Sequence, residues 1–236
     1  MLSRVLEPEV MDTAEEALDY DTMDHSFVNG LFADQFVELL RTSRHLPPGR
    51  WKVLDVGTGT AQIPIEIVRR FPDLEIVAID LSREMLKLGE RNVARAGMTD
   101  SIRLKVVDAK RVPTPSASFD AVISNSIIHH IPEPLHSLRE MVRVLKPGGV
   151  LFVRDLMRPV DRATLDTLVA LHAAGANDHQ RRLFAESLHA ALTVAEVADL
   201  LQQVGLPRDW ITQTSDRHWT ICSPASDWAT DGSATP

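Results

Sequence analysis

The chain has 236 residues, of which 44% are hydrophobic and 25% charged, with a formal net charge of −8. That size and mix suit one soluble globular domain with a sizeable core, and no apolar run reaches the ~20 residues of a membrane span. The lone Cys222 excludes an internal disulfide or a Cys-rich zinc site, and the acidic balance with scattered Lys and Arg argues against nucleic acid as a partner.

The opening, "MLSRVLEPEVMDTAEEALDYD", is acidic and broken by charges, unlike a signal peptide, so a cytoplasmic protein is expected. "DYDTMDHS" (19–26) reads as a helix-start segment with Asp24 placed as cap. "DHSFVNGLFADQFVELL" (24–40) then reads as an amphipathic helix with Val28, Phe32, Phe36 and Leu40 one turn apart.

From Trp51 the chain alternates. "WKVLDV" (51–56) is a strand ending in a glycine-rich turn, and "IPIEIVRRF" (63–71) a helix. "LEIVAID" (74–80) is a second strand. "SREMLKLGERNVARAG" (82–97) is a helix that Ser82 caps and Gly97 ends. "IRLKVVDA" (102–109) and "FDAVISN" (119–125) are the third and fourth strands. "PEPLHSLREMVRVLKPGG" (132–149) lines Leu135, Leu138, Met141, Val142 and Leu145 along one helical face and closes on a Pro147-Gly148 turn. "VLFVRDL" (150–156) is the fifth strand.

The stretch 158–192 is largely helical. "TVAEVADLLQQVG" (193–205) carries a capping box, Thr193 with Glu196, and a stop at Gly205. "WITQT" (210–214) and "HWTIC" (218–222) read as a late antiparallel hairpin. The tail from Ser223 is small, polar and expected to be flexible.

Strands separated by helices predict an α/β fold with a doubly wound, mostly parallel sheet. Ligands gather at the carboxyl ends of such strands, and Asp55, Asp80, Asp108, Asn125 and Asp155 fall at or near those ends. Gly57 and Gly59 allow a sharp turn against a ligand at a helix N-terminus. Asp80, about 20 residues on, is placed to accept from both hydroxyls of a ribose. Asp108 is placed to accept from an adenine amine. This much fits any adenosine-containing cofactor. A short-chain dehydrogenase needs Tyr-x-x-x-Lys, but the only tyrosine is Tyr20, and Gln62 stands where dinucleotide fingerprints favour a small residue.

"LDVGTGTAQIP", "VAIDLSREML", "VVDAKRVP", "FDAVISNSIIHHI" and "LKPGGVLFVRD" together resemble the successive motifs of class I S-adenosylmethionine-dependent methyltransferases, over about residues 50–155. The group that includes the ubiquinone/menaquinone C-methyltransferases is the most similar. Ala61 stands where that family often has a third glycine. The resemblance implies a seven-stranded Rossmann-like methyltransferase fold, here with an N-terminal helical cover (1–45) and a helical insertion after the fifth strand (156–192), in one domain over 1–222. It implies S-adenosyl-L-methionine as cofactor and S-adenosyl-L-homocysteine as product. It assigns Asp55 to organising the first turn or facing the methionine amine, Gly57 and Gly59 to close approach to the cofactor, Asp80 to the ribose, Leu81 to adenine, Asp108, with Ala109 beside it, to the adenine amine, and Asn125 to the methionine part; Thr58 and Met85 are further cofactor-binding candidates. An N-terminal helix covers the cofactor in that family, which adds Tyr20, Met23 and His25, with the Tyr20 ring facing a cation.

"SNSIIHHIPEP" (124–134) then places His129 and His130 beside the expected methyl group, as base or substrate hydrogen-bonder. Asp155, Arg158 and Arg181 are the substrate candidates, with Asp178, His179 and Arg182 near the last. Adjacent histidines rarely converge on one ion and no companion set has firm spacing, so no metal is expected. The expected function is methyl transfer to a small-molecule acceptor at O, N, S or C, with no membrane partner and a homodimer possible. The alternative is a non-catalytic regulatory protein that binds the same cofactor or its product.

Overall fold

The computed structural model describes residues 2–10, 12–43 and 49–223. Two helices come first, α1 (Ala14–Thr22) and α2 (Ser26–Thr42). The alternating core follows: β1 (Trp51–Val56), α3 (Gln62–Arg70), β2 (Leu74–Asp80), α4 (Arg83–Arg95), β3 (Ile102–Val106), β4 (Phe119–Asn125), a 3-10 turn (Ile128–His130), α5 (Pro134–Val144) and β5 (Leu145–Leu156). Helices α6 (Arg162–His172), α7 (Asp178–Ala190) and α8 (Val194–Gln203) precede β6 (Ile211–Gln213) and β7 (His218–Cys222).

The sheet has seven strands in the order β3-β2-β1-β4-β5-β7-β6. The first five run parallel, and β7 returns antiparallel against β5 and pairs with β6 as the expected hairpin. Reversal of the chain between β1 and β4 makes that point the topological switch, where a ligand crevice opens outside the strand ends.

Alternate residues of each buried strand feed opposite faces. Leu54, Val56, Val122, Leu151 and Val153 meet Leu138 and Met141 of α5, Leu201 of α8, and Trp219. Val53, Ile76, Ile123 and Phe152 meet Phe32 and Phe36 of α2 and Ile67 of α3. Burying each large apolar side chain contributes ~1.5–3 kcal/mol, so the sheet is stabilised from both sides. Val28 is 38% exposed, so the buried stripe of α2 begins at Phe32 rather than at Val28.

The caps behave as their residue types require. Ser82 Oγ accepts the Met85 N–H at 3.1 Å. Thr193 and Glu196 form the capping box. Asp24, expected as the cap of α2, stands one residue before the actual N-cap, His25, and accepts the Ser26 N–H at 3.0 Å as a local turn bond. The Pro147-Gly148 turn exists, with Gly148 at φ 75°, but it lies inside β5 as a bulge, because Phe119 pairs with Leu145 and Ala121 with Val150. β3 ends at Val106, so Asp108 stands just beyond the strand. Ser223 is buried and accepts the Leu151 N–H at 3.0 Å, which ties it to the sheet. The rest of the tail expected to be flexible lies outside the described residues. Among the described residues no helix is long and apolar enough to cross a membrane.

Candidate active site

The site begins where β1 runs out. Gly57 takes φ 75°, and its N–H bonds the Ile79 carbonyl of β2 at 2.8 Å. A Cβ there would lie 2.0 Å from Ile127 Cγ2, so only glycine fits. Gly59 follows at φ 55°. Ala61, the N-cap of α3, takes the same left-handed conformation at φ 63°, where a side chain costs ~1–2 kcal/mol.

Asp80 closes β2 and faces this turn. Its Oδ2 accepts the Gly59 N–H at 2.8 Å and its Oδ1 the Ser82 N–H at 2.9 Å. Burial raises its pKa, and the backbone N–H groups only partly offset that. Asp108, past β3, accepts the Lys110 N–H at 2.8 Å, with Lys110 Nζ 3.1 Å away. Asp55 is 3% exposed, and burial pushes its pKa up to about 7. The buried Thr58 hydroxyl opposes that rise, and Asp80 adds to it.

One cavity opens at these strand ends. Gly57, Gly59, Asp80, Leu81, Met85, Asp108, Ala109 and Asn125 line it, as do Tyr20 from α1 and His130 from the turn after β4. Its apolar wall comes from Ile79, Val107, Ile127 and Ile131. Asp55 and Thr58 lie behind this lining. Burial, then Asp80 and Asp55, push the Tyr20 hydroxyl up to about 12, so it stays neutral.

Residues 54–153 match the family model "Methyltransferase domain". The chain is 35% identical over 117 residues to the "Ubiquinone/menaquinone biosynthesis C-methyltransferase UbiE" of Geotalea daltonii, which covers 49% of each chain. It spans about half the length of the curated relatives it matches. This similarity places a methyltransferase domain at residues 54–153. A methyltransferase structure described as S-adenosyl-L-methionine-dependent, from Methanococcus maripaludis, shares the fold at TM-score 0.67 and 18% identity, over 96% of this chain and 99% of that one. The plantazolicin methyltransferase BpumL, solved with S-adenosylhomocysteine, gives TM-score 0.66 at 20% identity over 85% and 73%.

Past the end of β4 the two histidines part company. His130 lines the cavity, while His129 turns into the protein and is 3% exposed. His129 Nδ1 lies 2.5 Å from Asp155 Oδ1 and donates to it. The other Asp155 oxygen accepts the backbone N–H groups of Ile128 and His129, at 2.5 and 3.2 Å. Burial opposes the charge on both, yet the pairing raises the pKa of His129 and lowers that of Asp155. His130 goes the other way. Burial, then the neighbouring His129, push it down to about 3, so it is neutral.

The substrate candidates are placed elsewhere. Asp155 does not face the cavity, because its lone pairs are taken up by His129 and the loop backbone. Arg158 is buried on the Ala191 carbonyl at 3.0 Å and on Glu196 at 2.5 Å. Arg181 donates to the Ala173 and Ala174 carbonyls at 3.1 and 2.7 Å, which ties α7 to the end of α6. Met23 is the C-cap of α1, and His25 stacks on Tyr20 with ring centroids 4.8 Å apart, behind the cavity wall.

Sequence reasoning missed the N-terminal segment. Arg4 donates to the carbonyls of His129, Ile131 and Ala190 at 3.1, 2.9 and 2.7 Å. Glu7 Oε1 lies 3.1 Å from His130 Nδ1 and 3.4 Å from His129 Nε2. Glu9 lines the cavity and pairs with Lys110. Asp12 accepts from the Ser82 hydroxyl at 2.9 Å. Two glutamates in "LEPEV" are unremarkable without knowing what they meet. Thr13-x-x-Glu16, however, is a capping box that does announce α1.

Proposed function

We propose that this chain transfers a methyl group from S-adenosylmethionine to a small organic acceptor that enters beside His130 and the N-terminal segment. The observation that carries the reading is the pair of carboxylates, Asp80 and Asp108, at adjacent strand ends on either side of one cavity that opens on the glycine turn. Spare lone pairs on Asp80 suit the two hydroxyls of a ribose. Asp108 and Ala109 suit the adenine edge, and Leu81 and Met85 its faces. The buried carboxyl of Asp55 behind Gly57 suits a positive group, and so does the Tyr20 ring. The residues present therefore fit the cofactor.

When bound, the cofactor supplies an electrophilic sulfonium methyl. The chain's part is to position and to exclude water. Gly57 and Gly59 let the backbone approach closely, while Ile127 and Ile131 keep the wall dry. Neutral His130 is a hydrogen-bond partner for the acceptor rather than a charge. The name of the Geotalea relative supports a small-molecule acceptor.

Incubation with S-adenosylmethionine carrying a labelled methyl, and with a fractionated small-molecule extract, tests the proposal. Label in an organic product, with release of S-adenosylhomocysteine, supports it. Cofactor binding with no transfer to any fraction supports the regulatory alternative instead.

A further inference from the structure

Sequence spacing alone offers no metal set, because the two adjacent histidines lack a companion nearby. The fold supplies one. Glu7, His129 and His130 each present one ligand atom, and these atoms lie within 4.8 Å of one another. Glu7 Oε1 is 3.1 Å from His130 Nδ1 and 3.4 Å from His129 Nε2. Bonds of ~2.1 Å to a shared ion separate neighbouring ligands by roughly 3.0–3.4 Å in octahedral or tetrahedral geometry, so both Glu7 separations fit, and the two imidazole nitrogens, within 4.8 Å of each other, need only a small side-chain rotation to join them.

The surroundings orient these atoms. Asp155 accepts a hydrogen bond from His129 Nδ1–H, which leaves Nε2 toward Glu7. A carboxylate behind a ligating histidine is the usual support in metal sites. Ser187 Oγ donates to Glu7 Oε2 at 3.1 Å, which leaves Oε1 free. Glu7 Oε1 and His130 Nδ1 are buried and make no hydrogen bond. The side chain of Glu7 is 9% exposed and that of His129 3%, so this is not a solvated acidic patch.

We propose that Glu7, His129 and His130 bind one divalent transition-metal cation of the zinc type, with Asp155 and Ser187 positioning two of the ligands. Two imidazole ligands suit such an ion rather than Mg2+ or Ca2+, and a carboxylate oxygen can complete the set. Three protein ligands leave a coordination position open, as in catalytic rather than closed structural sites. His130 also lines the cavity, so the site stands in its wall.

The test uses the full chain, stripped with a chelator, dialysed and titrated with Zn2+ and with Co2+. One equivalent should bind, with visible ligand-field bands for Co2+. Glu7→Gln and His130→Asn should each weaken binding by roughly 100-fold, and Ser187→Ala by roughly 10-fold, with circular dichroism unchanged. Glu7→Gln carries the decision, since it removes one ligand without opening the core. Absence of binding, or a Kd that Glu7→Gln leaves unchanged, would overturn the proposal and make the cluster a hydrogen-bonded triad. S-adenosylmethionine binding to the same stripped chain is read separately, so failure of the metal site and failure of the proposed function are distinguishable.

Discussion

Asp80 Oδ2 accepts the Gly59 N–H at 2.8 Å while its Oδ1 accepts the Ser82 N–H at 2.9 Å. One carboxylate therefore fastens the turn after β1 to the start of α4. Both N–H groups lie at the cavity, and Asp80→Ala orphans them. The expected cost is ~1–3 kcal/mol in denaturant unfolding, from unsatisfied buried donors. Asp80→Asn, which keeps an acceptor, should lose less.

Gly57 tests the same turn by volume. Gly57→Ala drives a Cβ to within 2.0 Å of Ile127 Cγ2 at φ 75°. Overpacking and the left-handed conformation together should destabilise by ~2–4 kcal/mol. Ile127→Ala in the same chain should recover the overpacking part and leave the conformational part. Thermal unfolding of the single and double variants measures the split.

The buried Asp55 gives a pH signature. Burial raises its carboxyl pKa to about 7. A cationic cofactor favours the ionised form, so binding should release a proton. Affinity should rise by up to about tenfold per pH unit as the pH climbs toward that value, then level off. In the free chain the sign is opposite. The folded pKa lies above the unfolded one, so this carboxyl's contribution to stability is fully present below the ordinary value of ~3.9 and is lost as the pH rises through about 7. Asp55→Asn should flatten both profiles, read by calorimetry and by urea unfolding at several pH values.

The Tyr20 ring separates cofactor from product. If it faces the sulfonium, Tyr20→Phe should retain most of the affinity for S-adenosylmethionine. Tyr20→Ala should lose ~0.5–2 kcal/mol, and more for the cationic cofactor than for uncharged-sulfur S-adenosylhomocysteine. Equal losses for the two would assign the ring to shape alone.

The core was legible because its signals are local. Apolar runs such as "WKVLDV" and "LEIVAID", each ended by Asp or Gly, name their own strands, and Ser82, Thr193 and Gly97 punctuate the helices. The strand-end carboxylates followed from that order. The rest depends on meetings that no local pattern encodes. Nothing in "RVLEPE" says that Arg4 will hold the loop after β4 or that Glu7 will reach both histidines. Asp155, near the end of β5, and Arg158, just past it, are expected at the acceptor from their place in the chain. Their partners His129 and Glu196, distant in sequence, take them into the interior.

The most direct measurement is calorimetric titration of the chain with S-adenosylmethionine, S-adenosylhomocysteine and NADH, repeated on folded Asp80→Ala. The account predicts that the first two bind, that NADH does not, and that the variant loses roughly 10- to 100-fold in affinity as hydrogen bonds to a charged acceptor disappear. NADH binding, or no binding by any of the three, would contradict it.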